Sequence, residues 1–229
     1  MPPPPKTTRL QQIIVSLIYY YRDINNKLLP ALNIIALKQA ATKKQTEYQC
    51  HRFVDHVATQ PKISLRFHKS DMVLTIDSDD VYLVEQQSRS RVAGYFQLNS
   101  NNKYSTFLNE SILIECKTLH HVFPSSLEAK ISGIFHNAQL SIPLRYMFTQ
   151  IRHSQSTTLL ITDNVTADSL VQDNIAQKNS KSWDIWLYWL KSKQQNHYAD
   201  TYWDSGHNNL YEYYRKHQTS QYHKDIRKT

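Results

Sequence analysis

The feature that most constrains the fold of this chain is a change of hydrophobic period near residue 62. Before it, Leu10, Ile13, Ile14, Leu17, Ile18 and Tyr21 recur at the three-and-four spacing of one helix face. Pro30 suits the first turn of a second helix carrying Leu32, Ile35 and Leu37. Thr42 or Thr46 can cap a third, with Phe53, Val54 and Val57 on its buried face, and Pro61 marks its end. Beyond residue 62 the pattern is that of strands: Ile63 to Phe67 as a short lead-in, then Met72 to Ile76, Arg91 to Leu98 and Ser111 to Cys116, with Asn99 to Lys103 as a turn. A long helix follows, marked by Leu127, Ile131, Ile134, Phe135, Ala138 and Ile142. Thr158 to Thr162 reads as a buried fourth strand and 165 to 176 as a helix. Ser182 to Lys193 is another, with Ile185, Leu187, Trp189 and Leu190 inside, before a fifth strand at Tyr198 to Trp203 and a last helix at Leu210 to His217. Three strands, a helix, a strand, helices, a strand and a helix predict an α/β fold: a mixed five-stranded sheet with flanking helices, preceded by a small helical segment.

Composition narrows the function. Three glycines in 229 residues exclude a glycine-cradled nucleotide site of the usual kind. A net charge of +8 and a pI near 9.3 favour an anionic partner, of which nucleic acid is the commonest. Cys50 and Cys116 are too few for a disulfide scaffold and lack zinc spacing, which points to a reducing, intracellular compartment. No apolar run of about 18 residues exists, so no membrane partner is expected. Met1-Pro2-Pro3-Pro4-Pro5-Lys6 lacks the order of a signal peptide, and residues 1–8 read as a linker.

Against that basic background, Thr75-Ile76-Asp77-Ser78-Asp79-Asp80 ends an apolar strand in acid. Asp79 at the end of the first strand, Glu128 in the first turn of the long helix and Asp163 at the end of the fourth strand occupy equivalent places in the layout. Each has a structural role open to it: Asp79 in a turn, Ser125 and Glu128 as a capping box, Asp163 or Asn164 as a helix cap. Together they can converge, because strand ends on one edge of a sheet lie near each other. Carboxylates so close repel, and divalent cations relieve the repulsion. Two Mg²⁺ ions about 3.5–4 Å apart stabilise the attacking and leaving oxygens of a phosphoryl displacement.

The ordered motifs are Ser78-Asp79 with Tyr82, Ser88-Arg89-Ser90-Arg91-Val92-Ala93-Gly94-Tyr95-Phe96, Ser125-Ser126-Leu127-Glu128-Ala129, Thr162-Asp163-Asn164 and Asn179-Ser180-Lys181-Ser182-Trp183-Asp184. In order and spacing they resemble the ribonuclease H region of copia-type retrotransposon Pol polyproteins. The segment from Leu10 to Pro61 resembles the thumb or connection that precedes it. The likeness spans nearly the whole chain: a linker at 1–8, a thumb/connection-like segment at 9–62, a ribonuclease H-like domain at 63–217 and a basic tail at 218–229.

This resemblance implies a two-metal endonuclease, a hydrolase that cuts the RNA strand of RNA–DNA hybrids. Its metal ligands and catalytic residues fall on Asp79, Glu128, Asp163 and Glu212, holding two Mg²⁺ ions, or Mn²⁺. Arg89, Arg91, Lys178 and Lys181 are candidate phosphate contacts, and His207 a candidate proton shuttle. The partners implied are the hybrid and the fingers and palm of the same polyprotein, in a cytoplasmic virus-like particle or the nucleus. Polymerase activity is not expected, because the residues before the acidic strand read mainly as helices and hold no partner acidic strand. The sequence departs from the resembled pattern at three places: Glu212 stands for an aspartate, Lys130 for a second glutamate and Trp186 for a basic residue. Lys130 then either meets substrate phosphate or lies on a solvated helix face, and the three tryptophans 183, 186 and 189 read as core packing rather than base-stacking groups. A second reading, built on those departures, is a catalytically decayed nucleic-acid-binding remnant without nuclease activity.

Overall fold

In the computed structural model, which describes residues 6–23, 28–41, 43–59, 65–100, 109–175 and 183–205, the change of period is a change of architecture. Two compact units divide the described residues, one helical and running up to Leu65, the other built on a sheet from Arg66 onward. The helical unit has α1 (Lys6–Asp23), α2 (Leu29–Leu37) and α3 (Lys44–Ala58). Tyr21, Leu32 and Phe53 are buried in it, the Tyr21 and Phe53 rings meeting edge to face with centroids 5.5 Å apart. Helix α1 begins at Lys6, inside the segment expected as linker, and the N-cap of α3 is Lys43. Thr46 is buried within α3 rather than capping it, and Val54 faces solvent.

The second unit contains β1 (Val73–Glu85), β2 (Arg89–Asn99), β3 (Leu113–Thr118), α4 (Ser126–Gln150), β4 (Thr158–Thr162), α5 (Val165–Val171), α6 (Asp184–Gln195) and β5 (Ala199–Trp203). The strands lie in the order β3-β2-β1-β4-β5. Strand β2 runs antiparallel to both of its neighbours, β1 and β3, while β4 runs parallel to β1, and β5 to β4. This is the mixed five-stranded sheet with flanking helices that the sequence predicts. Leu74, Ile76, Phe96 and Leu160 from the sheet meet Ile131 and Ile134 of α4 and Leu187 of α6 in one core. Among the described residues no helix is long and apolar enough to cross a membrane.

Three local expectations fail for physical reasons. Strand β1 continues through the acidic residues to Glu85, because β2 pairs with it residue by residue as far as Val81↔Arg91. Asp79 therefore lies within a strand, not at its end. Ile185 is 76% exposed; it precedes the buried Leu187 by two residues, a turn of about 200° around the helix. Residues 65–72 form no strand, so the lead-in expected at 63–67 is not seen in its described part, and the helix expected at 210–217 lies outside the described residues.

Candidate functional site

The parallel pairing of β1 with β4 sets the site. Thr75, Ile76 and Asp77 lie opposite Leu159, Leu160 and Ile161. Two more residues along that register bring Asp79 level with Asp163, the first residue past β4. Helix α4 lies over β1. At Gly133 the two elements lie so near that a methyl group there would sit in van der Waals contact with Asp80 Cβ, at 3.6 Å. Asn137, one turn on, donates from Nδ2 to Ser78 Oγ at 2.8 Å and to the Ala93 carbonyl at 3.0 Å. One turn before Gly133 comes Lys130, and its side chain reaches the acidic residues.

The Lys130 ammonium is the centre of the arrangement. Its Nζ stands 2.5 Å from Asp79 Oδ1, 2.9 Å from Asp163 Oδ1 and 3.3 Å from Asp80 Oδ1. The Lys130 side chain is only 11% exposed and that of Asp80 only 1%. Neither reading of Lys130 from the sequence is met: it faces neither solvent nor a surface where phosphate would lie, but a pocket of carboxylates contributed by β1 and the end of β4. Burial alone would lower its pKa, yet Asp79 and Asp80 outweigh burial and hold it above the ordinary lysine range. Asp80 is pushed up to about 6, first by burial, with Lys130 opposing and Asp79 and Asp163 adding to the rise. Its Oδ2 accepts no hydrogen bond.

Glu128 enters differently from what the sequence implies. Its amide donates to Ser125 Oγ at 3.2 Å, the N-cap bond of α4. Positions 128 and 130 point about 200° apart around a helix, so the residue that α4 sends to Asp79 and Asp163 is Lys130. Among the described residues no group of three or more His, Cys, Asp or Glu is placed to hold a metal ion. The expected convergence of Asp79, Glu128 and Asp163 as a metal site is therefore not formed. The remaining cap is taken by Asn164, whose Oδ1 accepts from the Ala167 amide at 2.8 Å, so that the Asp163 carboxylate can turn to Lys130. Asp77 lies in β1, where Gln97 Nε2 donates to its Oδ2 at 2.8 Å.

Of the expected phosphate contacts, Arg91 is 7% exposed on an interior strand, too enclosed to meet a phosphate, and Arg89 is half-buried. Lys178, Lys181, His207 and Glu212 lie outside the described residues. Trp186 stacks on Phe135 with centroids 6.0 Å apart, Trp189 meets the same ring edge-on and Trp183 is buried, so these tryptophans serve packing as expected. Sequence reasoning missed Asn137 and the partners of Lys130. The signal was a spacing: positions 130, 133, 137 and 141 put Lys, Gly, Asn and Ser on one face of the helix.

The donor set does not fit a pair of Mg²⁺ ions. Mg²⁺ demands oxygen ligands at about 2.0–2.1 Å in near-octahedral array, and the oxygens that face one another across this pocket are already bridged by a covalently tethered cation.

No protein-family model matches the chain, and no curated protein matches it. Solved structures do match in part. The N-terminal ribonuclease H domain of Rv2228c from Mycobacterium tuberculosis is 6% identical, with 60% of this chain and 87% of that one covered and a TM-score of 0.43. LC11-RNase H1 in complex with RNA/DNA hybrid is 5% identical over 60% and 88%, with a TM-score of 0.44. The foamy viral protease-reverse transcriptase in complex with RNA/DNA hybrid is 11% identical and covers 95% of this chain but 27% of its own, with a TM-score of 0.45.

Proposed function

We propose that this chain is the ribonuclease H-like part of a copia-type retrotransposon Pol polyprotein and that it holds RNA–DNA hybrid without cutting it. The observation that carries this reading is the Lys130 ammonium among Asp79, Asp80 and Asp163. Hydrolysis by two divalent ions needs those oxygens for the ions, and here they are engaged by a side chain of the protein itself. The order and spacing of the motifs support the copia-type origin, and with it the helical unit as the thumb or connection and the fingers and palm as partners in an intracellular particle or the nucleus. The charge of +8 supports a polyanionic ligand. Discrimination for a hybrid would rest on groove shape and 2′-hydroxyl contacts.

The test is a labelled RNA–DNA hybrid offered to the full chain in Mg²⁺ and, separately, in Mn²⁺, with DNA duplex alongside. Binding that weakens steeply with salt, with the RNA strand left intact in both metals, is the expected result. Cutting of the RNA strand that Asp79→Asn abolishes would overturn the reading in favour of an active two-metal nuclease, and absence of hybrid binding would remove the ligand.

A further inference from the structure

The geometry points to Lys130 as a resident cation: its ammonium stands in for a divalent ion between β1 and the end of β4, closes the native carboxylate pocket to metals, and on loss of its charge would leave a pocket that takes one. The inference shares its site with the non-cutting reading above but rests on the ion cluster alone and holds whatever the chain binds.

Three observations lead here. First, one atom, Lys130 Nζ, lies within 3.3 Å of oxygens from three different carboxylates. The Asp79 distance of 2.5 Å falls within the 2.3–2.6 Å at which Ca²⁺ holds oxygen, the other two, 2.9 and 3.3 Å, are longer, and all three exceed those of Mg²⁺. The oxygens of Asp163 and Asp80 would have to move inward for the cluster to hold an ion in place of the ammonium. Second, the pocket is charge-deficient without a cation, since the Asp80 side chain is 1% exposed and its Oδ2 accepts no hydrogen bond. Something positive must sit there for the ionised cluster to be tolerated. Third, the ammonium arrives on the stem of a residue fixed by α4, so it is present at an effective concentration that no free ion matches. A metal entering the native pocket would have to expel a buried ammonium and leave it unpaired.

The structure therefore implies that Mg²⁺, Mn²⁺ and Ca²⁺ do not stabilise the native chain through this pocket. The measurement is thermal unfolding followed by tryptophan fluorescence, with and without 10 mM of each ion and with EDTA, on the wild type, Lys130→Gln and Lys130→Gln/Asp80→Asn. The double variant keeps Asp79 and Asp163 while relieving the repulsion that threatens the single one. The expected result is a wild-type Tm unmoved by ions or EDTA, and a rise on the order of 3–6 °C with Mn²⁺ or Ca²⁺ in at least one variant. An ion-induced rise in the wild type that Asp79→Asn removes would overturn the inference. So would the absence of any rise in both variants. Because no nucleic acid is present, these outcomes are independent of whether the chain binds or cuts a hybrid.

Discussion

Replacing Lys130 with methionine keeps the unbranched apolar stem, one atom shorter, and deletes the charge, leaving Asp79, Asp80 and Asp163 to face one another with no cation between them. Removing one partner from a buried ion pair costs about 3–5 kcal/mol. That is a large part of the 5–15 kcal/mol that typically separates folded from unfolded states. The loss has a built-in limit, because a carboxylate can escape by taking up a proton. Asp80 is already pushed up to about 6 in the native protein, against an ordinary value of 3.8. The folded state thus binds the proton more tightly than the unfolded one. Stability from this group falls as pH rises from about 4 to about 6, by roughly 3 kcal/mol, and is level above that. Lys130, raised above its ordinary range, contributes stability that persists until strongly alkaline pH. In Lys130→Met the downward window extends above pH 6, so the deficit relative to wild type grows from pH 5 to pH 8. Urea unfolding followed by tryptophan fluorescence reads the right unit, since all four tryptophans lie between residues 183 and 203. The wild type is expected to be flat from pH 7 to pH 9, with the variant about 3–5 kcal/mol weaker at pH 8, less so at pH 5, and partly restored by adding Asp80→Asn. A variant within about 1 kcal/mol of wild type at pH 8, or a loss independent of pH, would refute the claim that the ammonium neutralises this cluster.

Two further substitutions test how the site is held. A methyl group on Gly94 would overlap the carboxamide of Asn137, so Gly94→Ala is expected to destabilise by about 1–3 kcal/mol in urea, and the double variant with Asn137→Ala by less than the two singles added. Arg145 donates to the Ser156 carbonyl at 2.5 Å, Thr158 Oγ1 at 2.8 Å and the Gln155 carbonyl at 3.1 Å, tying α4 to the start of β4; Arg145→Met is expected to lower stability by about 1.5–3 kcal/mol and to speed hydrogen exchange at residues 155–158.

The architecture was legible because hydrophobic period is a local property. Helical spacing through Tyr21 and Ile35, strand runs such as 158–162, and the long stripe of α4 each need no partner to be recognised. Asp163 at the end of β4 followed from the same reading. The extension of β1 did not, because Asp is depleted in strands and only the facing β2 imposes extended backbone on 77–81. The placement of Glu128 failed for a different reason. A motif aligns residues along the chain, whereas the site is chosen by the face of the helix, and two positions separate opposite faces. Lys130 was visible as a departure from the resembled pattern, but its partners come from two strands, one about 50 residues before it and one about 30 after, and no one-dimensional pattern encodes that meeting.

The central position of β1 also governs the order in which the fold can assemble. Its β2 edge can zip as soon as residue 99 has been made, because the three-strand meander is local in sequence, while its other edge must wait for residues 159–161. During synthesis that second edge stays open while α4 and the following loop emerge, a stage at which a bare strand invites pairing with another chain. Asp77, Asp79 and Asp80 give the waiting strand a run of negative charge, a natural gatekeeper against such pairing. The same residues that would burden the finished protein without Lys130 thus guard the nascent one until β4 arrives.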